Sequence, residues 1–286
     1  MFSYAEEDLL PRALESIAQQ DVFESQVLEV LVMSCGHTEE IERIVLAHAG
    51  GHGKIHLYPS RGRRSKVGAI NECMRVCRGD ILVVCNADTC LAPDAIRRLL
   101  APFQDPAVGM VGGRAVPLDD SARLIGRLTH WLWRLHHYVC LERPKMGELV
   151  AWRLDRLRRL DSDTCVDEAC AEAWIRGAGG SLAYQPEAVV YNYGPGSFRQ
   201  FVTQRRRIHC GHLQLRSRHG YTVSTLSLWR IARALFRSGC LRYPGILLCL
   251  VCFEGVARAL GTWDRLRSRD HSAWKMIERP RLGRYE

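Results

Sequence analysis

Apolar positions along the chain follow two periods. Short runs rich in β-branched residues fall at 28–33, 55–58 and 80–85, and the stretches 9–20, 38–49 and 66–77 between them carry the 3.6-residue period of amphipathic helices. The alternation predicts βαβ units, hence an α/β fold with a mostly parallel sheet flanked by helices. The run at 79–85 is nearly all apolar, as a strand covered on both faces is, and it ends in Asn86-Ala87-Asp88-Thr89. Those polar residues therefore stand at the carboxyl end of a buried strand, where open α/β sheets bind ligands.

Further on, a helix from 93 to about 104 leads into a strand at 108–117, whose Gly112-Gly113 pair permits a bulge or a close approach. A helix follows at 121–141, with Leu124, Leu128, Trp131, Leu132 and Leu135 along one side. Next come a strand at 149–153, a helix at 167–177 and strands at 182–184 and 188–193; from 197 the pattern is helical. The segment 228–237 sets Leu228, Ile231, Ala232 and Leu235 on one face and Arg230, Arg233 and Arg237 on another. That pattern suits an anionic membrane surface as well as a helix packed on its own core with solvated arginines. The longest apolar run, 246–253, stops at Glu254, short of the ~20 residues a spanning helix needs. These patterns predict a catalytic domain over 1–220 and a C-terminal helical segment, a candidate for membrane association, over 221–286.

Composition narrows the picture. With 286 residues and 47% hydrophobic content the chain can bury one full core. Only Lys54, Lys66, Lys145 and Lys275 among the 40 basic residues are lysines, so the net charge of +9 is an arginine excess, suited to phosphates, nucleic acid or anionic lipid, or else the mark of a GC-rich genome. The 12 cysteines have no framework spacing and no apolar targeting segment precedes Glu6, which predicts reduced thiols in a cytoplasmic protein.

Three constellations carry candidate chemistry. Asp88 offers carboxylate oxygens to a hard divalent cation, Mg2+ or Mn2+, although an acid at a strand end is also an ordinary loop cap. Asp167-Glu168, preceded by Asp161 and Asp163, opens a helix; the pair suits a general base, or simply compensation of the helix dipole. Gln204-Arg205-Arg206-Arg207-Ile208-His209 supplies guanidinium groups for a diphosphate, or a solvated basic face. The histidines and tryptophan at His136, His137 and Trp131 suit an acceptor groove or plain helix packing.

In this order, these constellations resemble the family-2 glycosyltransferases, inverting enzymes with a GT-A fold. Residues 2–8 resemble the family's loop after its first strand, and Cys35-Gly36-His37-Thr38-Glu39 the end of its second strand. Lys66-Val67-Gly68-Ala69-Ile70-Asn71 is similar to Gly-Lys-x-x-Ala-x-Asn. Asn86-Ala87-Asp88 stands in the place of the Asp-x-Asp metal motif, Asp167-Glu168 in that of the Glu-Asp pair with the base, and residues 204–208 resemble Gln-x-x-Arg-Trp. The resemblance spans about residues 2–212. It implies donor contacts from Tyr4, Glu6, Cys35, Lys66, Asn86, Gln204 and Arg207, metal binding by Asp88, and a base at Glu168 or Asp167, the second of the pair being the family's choice. Cys35 replaces a base-reading aspartate of many members, Asn86 the first metal-motif acid, and Ile208 the acceptor-stacking tryptophan of processive synthases, which implies addition of a single sugar. The strand that the resemblance puts before Phe2 has no counterpart in the sequence.

The expected partners are a nucleotide-sugar donor, a glycan or lipid-linked acceptor and an anionic membrane surface, at the inner face of the cell membrane; no nucleic acid is expected. Two alternatives remain at this stage: an inactive nucleotide-sugar-binding homologue, and a basic nucleic-acid-binding protein, for which no basic stripe interleaved with aromatics is present.

Overall fold

The computed structural model describes residues 1–3, 7–35, 38–51, 53–59, 65–157, 159–269 and 271. Parallel strands β1 (Phe2–Ser3), β2 (Val30–Ser34) and β3 (Ile55–Pro59) form one sheet in the order β1-β2-β3. The second sheet joins β4 (Ile81–Val84), β5 (Thr89–Leu91), β6 (Val108–Pro117), β7 (Val150–Arg153) and β8 (Ser181–Asn192) in the order β4-β7-β6-β8-β5. It is mixed: β7 runs antiparallel to β4 and β6, β5 antiparallel to β8, and β6 parallel to β8.

Two residues weld these sheets together. Phe2 N–H donates to Cys85 O at 3.1 Å and Phe2 O accepts from Ala87 N–H at 2.9 Å, while Met33 N–H donates to Met1 O at 2.8 Å. Residues 2–8 were expected to form the loop after a first strand; in the structure Phe2–Ser3 is itself a strand, lying between the two sheets. The Phe2 side chain is 1% exposed, a burial that contributes ~2–3 kcal/mol.

Residues alternate between the two faces of the sheet with the strand period of two. Val30, Val32, Val83, Cys85, Leu149 and Ala151 pack toward α1 (Leu10–Ala18), α3 (Glu39–Ala49) and α5 (Ala95–Leu100). Leu31, Met33, Leu82, Val84, Val150 and Trp152 pack toward α4 (Lys66–Val76), α7 (Asp167–Gly177) and α8 (Phe198–His219). A one-turn helix, α2 (Phe23–Gln26), leads into β2. The two strands expected at 182–184 and 188–193 are one strand, β8, whose register against β6 shifts between Gly113 and Arg114; the sequence pattern splits at that irregularity. The three-residue β5 was not expected at all, being too short to show a period.

The third layer is helical. Helix α6 (Leu124–Glu142) packs with α9 (Leu228–Ser238) and α10 (Pro244–Leu266) around Leu128, Cys240 and Leu250, with Trp131 and Leu135 beside them. Helix α10 is one continuous rod of 23 residues, long and apolar enough by length and composition to cross a membrane. The apolar run stops at Glu254 but the helix does not, and that carboxylate forms ion pairs with Arg205 and Arg258. Helices α8 and α10 come so close that a side-chain carbon on Gly261 would stand 2.6 Å from Arg206 O. Asp264, 2% exposed, accepts from Arg206 Nε and Nη2 at 2.5 Å each.

The Arg206 hydrogen bonds, opposed by burial and aided by His271, hold the Asp264 carboxyl at about 2, below its ordinary 3.8. A folded-state pKa below the unfolded one adds stability that is complete above pH ~4 and is lost as the pH falls toward ~2, about 2 kcal/mol in all. Asp264→Asn should lower denaturant stability by about that amount at pH 7, and the gap from the wild type should narrow between pH 5 and pH 3. A gap of constant size over that range would contradict the assignment.

Candidate functional site

Beyond Val84 the backbone of β4 turns sharply. Asn86 O accepts from Thr89 Oγ1 at 2.8 Å and from Thr89 N–H at 3.3 Å, which places Asp88 at the lip of the sheet, half-buried. Asn86 Nδ2 donates to Glu148 Oε2 at 3.1 Å. The other end of that carboxamide, Oδ1, is buried with no hydrogen-bond partner among the described residues.

A second group assembles from helix N-termini. Ser65 caps α4 by accepting from Gly68 N–H at 3.3 Å, and Lys66 follows as the first helical residue. Its ammonium stands 2.8 Å from Asp167 Oδ2 and 3.0 Å from Glu168 Oε1, at the first turn of α7. Neighbouring helical side chains diverge by ~100°, yet both carboxylates reach the one cation, across 102 residues of sequence in the case of Glu168. Burial disfavours the Lys66 charge, but Asp167, Glu168 and Glu148 outweigh it and raise the ammonium above its ordinary pKa. For Asp167, burial and the adjacent Glu168 carboxylate prevail and raise the carboxyl pKa. Burial also acts on Glu168, but Lys66 and Lys145 overcome it and hold Glu168 below its ordinary value. Glu168 is the more open of the two, its side chain 23% exposed against 10% for Asp167.

The two groups adjoin. The buried Cys85 thiol, pushed up chiefly by burial, also feels the charges of Lys66 and Asp88, and Glu148 acts on both Asn86 and Lys66. Asn86, Asp88, Glu148, Lys66, Asp167 and Glu168 therefore share one end of the sheet.

The remaining expected residues divide. Tyr4 and Glu6 lie outside the described residues. Cys35 directly follows β2, its N–H donating to Ser3 O at 2.9 Å, and packs beside the α4 side of the core. Gln204 and Arg207 share a face of α8 with Gly211, where an added side-chain carbon would meet Cys165 Sγ at 2.6 Å, so this face abuts the segment leading into Asp167. Arg205 and Arg206 are tied to Glu254 and Asp264 of α10, whereas Arg207 lies beside Cys165, two residues before Asp167. Trp131 belongs to the helical layer, its ring 5.3 Å from that of Tyr243. His137 pairs with Tyr184 OH at 2.8 Å, and His136, buried and with its pKa pulled down to about 3 by that burial, sits against Trp133 and Gly147.

Glu148 was missed by sequence reasoning, as was the buried network behind it. Lys145 Nζ lies 3.3 Å from Glu172 Oε1, Met146 N–H donates to the same oxygen at 2.8 Å, and Tyr221 OH donates to Glu172 Oε2 at 2.9 Å. The only available signal was the strand register. Residues of β4 and β7 pair as Ile81 with Arg153 down to Val84 with Val150, and Asn86 and Glu148 follow just beyond the paired ends of the two strands.

Among the described residues no three His, Cys, Asp or Glu side chains group as metal ligands. The oxygen set at the strand end nevertheless fits a hard cation that completes its shell with waters and a ligand's own oxygens: Asp88 brings a carboxylate, and Asn86 a buried, unsatisfied carbonyl oxygen. Beside it, an ionised carboxylate near Lys66 can accept a proton.

Over 94% of its length the chain matches 87% of a mannosyltransferase from Pyrobaculum calidifontis, solved with GDP-Man and Mn2+, with a TM-score of 0.67 and 20% identity. It matches a mannosyl-3-phosphoglycerate synthase from Rubrobacter xylanophilus with a TM-score of 0.53 and 13% identity, over 76% of this chain and 74% of that one. These likenesses show the fold, which is GT-A. In sequence it is 29% identical over 224 residues to an N-acetylglucosaminyltransferase of Mesorhizobium japonicum, covering 69% of this chain, and it spans about half (51%) of that relative's length. The family model for glycosyl transferase family 2 matches residues 1–159, more than half of the sequence, and the chain belongs to that family.

Proposed function

We propose that the protein transfers one sugar from a nucleoside-diphosphate sugar to an acceptor hydroxyl, with inversion at the anomeric carbon. The observation that carries this reading is the oxygen set of Asn86 and Asp88 beside the Lys66-held pair Asp167 and Glu168, at the ligand-binding end of the sheet. Asp88, with the Asn86 carbonyl oxygen, would hold Mg2+ or Mn2+, which when bound neutralises charge on the departing diphosphate. The Mn2+ in the Pyrobaculum mannosyltransferase complex supports that choice of metal.

Glu168 is the base that takes the acceptor proton. It is the more open of the two carboxylates, and Lys66 and Lys145 keep it ionised at neutral pH. Asp167 completes the grip on Lys66, which serves the base rather than the nucleobase. Gln204 and Arg207 bind the diphosphate or the acceptor from the α8 side. The nucleic-acid alternative loses its main support, because Arg205 and Arg206 are spent on α10.

The acceptor is lipid-linked or an envelope glycan, met at the cytoplasmic membrane face. Helix α9 exposes Leu228, Trp229 and Phe236 beside Arg230, Arg233 and Arg237, and α10 exposes Leu248, Val251, Val256, Trp263 and Leu266, with only 17% of its most apolar window buried. Although long enough to span, α10 lies in the membrane surface rather than across it. Its Glu254 and Asp264 are bonded to α8, whose arginines would have to enter the hydrocarbon with it. On this reading residues 1–220 do the chemistry and 221–286 dock it.

Incubation with Mn2+, total membrane lipid and a panel of UDP-, GDP- and dTDP-sugars should release nucleoside diphosphate with at least one donor. Asp88→Ala should abolish release, and Glu168→Gln should slow it ~10²–10⁴-fold, the usual share of a general base. Release that survives Asp88→Ala contradicts the metal assignment; a silent Glu168→Gln beside a crippled Asp167→Asn moves the base to Asp167.

Flotation with vesicles tests the docking surface. The protein should float with phosphatidylglycerol-containing vesicles at low salt, and Trp229→Ser/Phe236→Ser should remain at the bottom of the gradient. Wild-type protein that fails to float at low salt would rule the surface out.

A further inference from the structure

In place of the first acid of the metal motif this chain has Asn86, one negative charge fewer beside Asp88. The structure assigns the missing charge to Glu148: its carboxylate orients the Asn86 carboxamide so that Oδ1 faces the cation, and it supplies the anionic charge that asparagine lacks. This inference rests on the proposed metal-dependent transfer and concerns how this chain sustains it.

Three observations carry it. First, a carboxylate only accepts hydrogen bonds, so the amide end that meets Glu148 Oε2 at 3.1 Å is Nδ2, and the carbonyl end must point the other way. That end is buried and lacks a hydrogen-bond partner among the described residues, a cost a bound cation would relieve. Secondly, Glu148 is held firmly. Just before it, Met146 N–H and Lys145 Nζ are anchored on the fully buried Glu172, and Gly147 lies against Trp133 and His136; just after it, Leu149 O accepts from Gly113 N–H at 2.8 Å. Thirdly, the antiparallel pairing of β4 with β7 ends at Val84 and Val150, each two residues from the contact, so Asn86 and Glu148 leave the sheet side by side. Glu148 is thus a positioning residue. It acts on the cation through Asn86, and its charge also reaches Lys66, linking the metal end of the site to the base.

The account predicts an interchange. In the double variant Asn86→Asp/Glu148→Gln, the new carboxylate faces the cation and accepts from the new amide at 148, so charge and hydrogen bond are both kept with their owners exchanged.

The test is Mn2+ uptake by the full chain, followed by the loss of the free Mn2+ electron paramagnetic resonance signal in the presence of GDP and, separately, UDP. Thermal melts of every variant report on folding. Removal of an outer partner of a metal ligand commonly weakens binding 10–100-fold. Glu148→Gln alone should therefore weaken Mn2+ uptake at least ~10-fold with an unchanged melt, and the double variant should recover to within a few-fold of the wild type. Unchanged Mn2+ affinity in Glu148→Gln overturns the inference, and so does a double variant that binds no better than the single one. Wild-type protein that takes up no Mn2+ with either nucleotide overturns the proposed function instead, and this inference falls with it.

Discussion

Two carboxylates on consecutive residues, both largely withdrawn from water, cannot both stay ionised without a cation between them. Lys66 is that cation, 2.8 Å from Asp167 and 3.0 Å from Glu168. Its position runs against local preference, since a lysine in the first turn of a helix opposes the dipole that the same turn of α7 satisfies with its acids. The tertiary contact overrides the local one, and through it α4 and α7 are clamped over the same end of the sheet. The clamp also divides the pair: Asp167 is pushed up by burial and its neighbour, while Glu168, nearer the opening and also within the field of Lys145, is held down. Two adjacent carboxylates thereby differ in how readily they give up a proton.

The other constraint is the antiparallel insertion of β7 beside β4. With β7 reversed, the segment leading into it passes the carboxyl end of β4, and Glu148 meets Asn86 there. The strand Phe2–Ser3 holds the end of β4 from the other side through Cys85 O and Ala87 N–H, so the strand-end turn is gripped by backbone hydrogen bonds on one edge and by a side-chain carboxylate on the other.

Much of this was legible in the sequence. The βα rhythm through residue 85, the strand at 108–117 and the helix beginning at Asp167 follow from apolar periodicity, and the structure has each of them within a few residues. The site was legible only as an ordered set of short motifs, because an acid at a strand end or a charge run on a helix has an ordinary structural use. The Lys66 contact escaped pattern reading because nothing in a 102-residue separation encodes it, and the resemblance suggested a nucleotide contact instead. Glu148 escaped because a lone acid before a strand carries no signal until the pairing partner of that strand is known. The arginine run was read as a phosphate grip or a solvated basic face, and the structure spends two of its three members on Asp264 and on Glu254, the acid that ends the apolar run. Interruptions of that kind mark the protein-facing side of a helix whose other side is apolar and exposed.

The central claim is that the strand-end oxygens of Asp88 and Asn86 form the cation site, and that Glu168 stands beside it uncoordinated. Anomalous scattering from crystals grown with Mn2+ and a nucleoside diphosphate addresses it most directly. The account predicts one strong manganese peak within bonding distance of an Asp88 carboxylate oxygen and Asn86 Oδ1, bridged to the diphosphate, with Glu168 still on Lys66. A peak bound by Glu168 or Asp167, or one remote from Asp88, would contradict it.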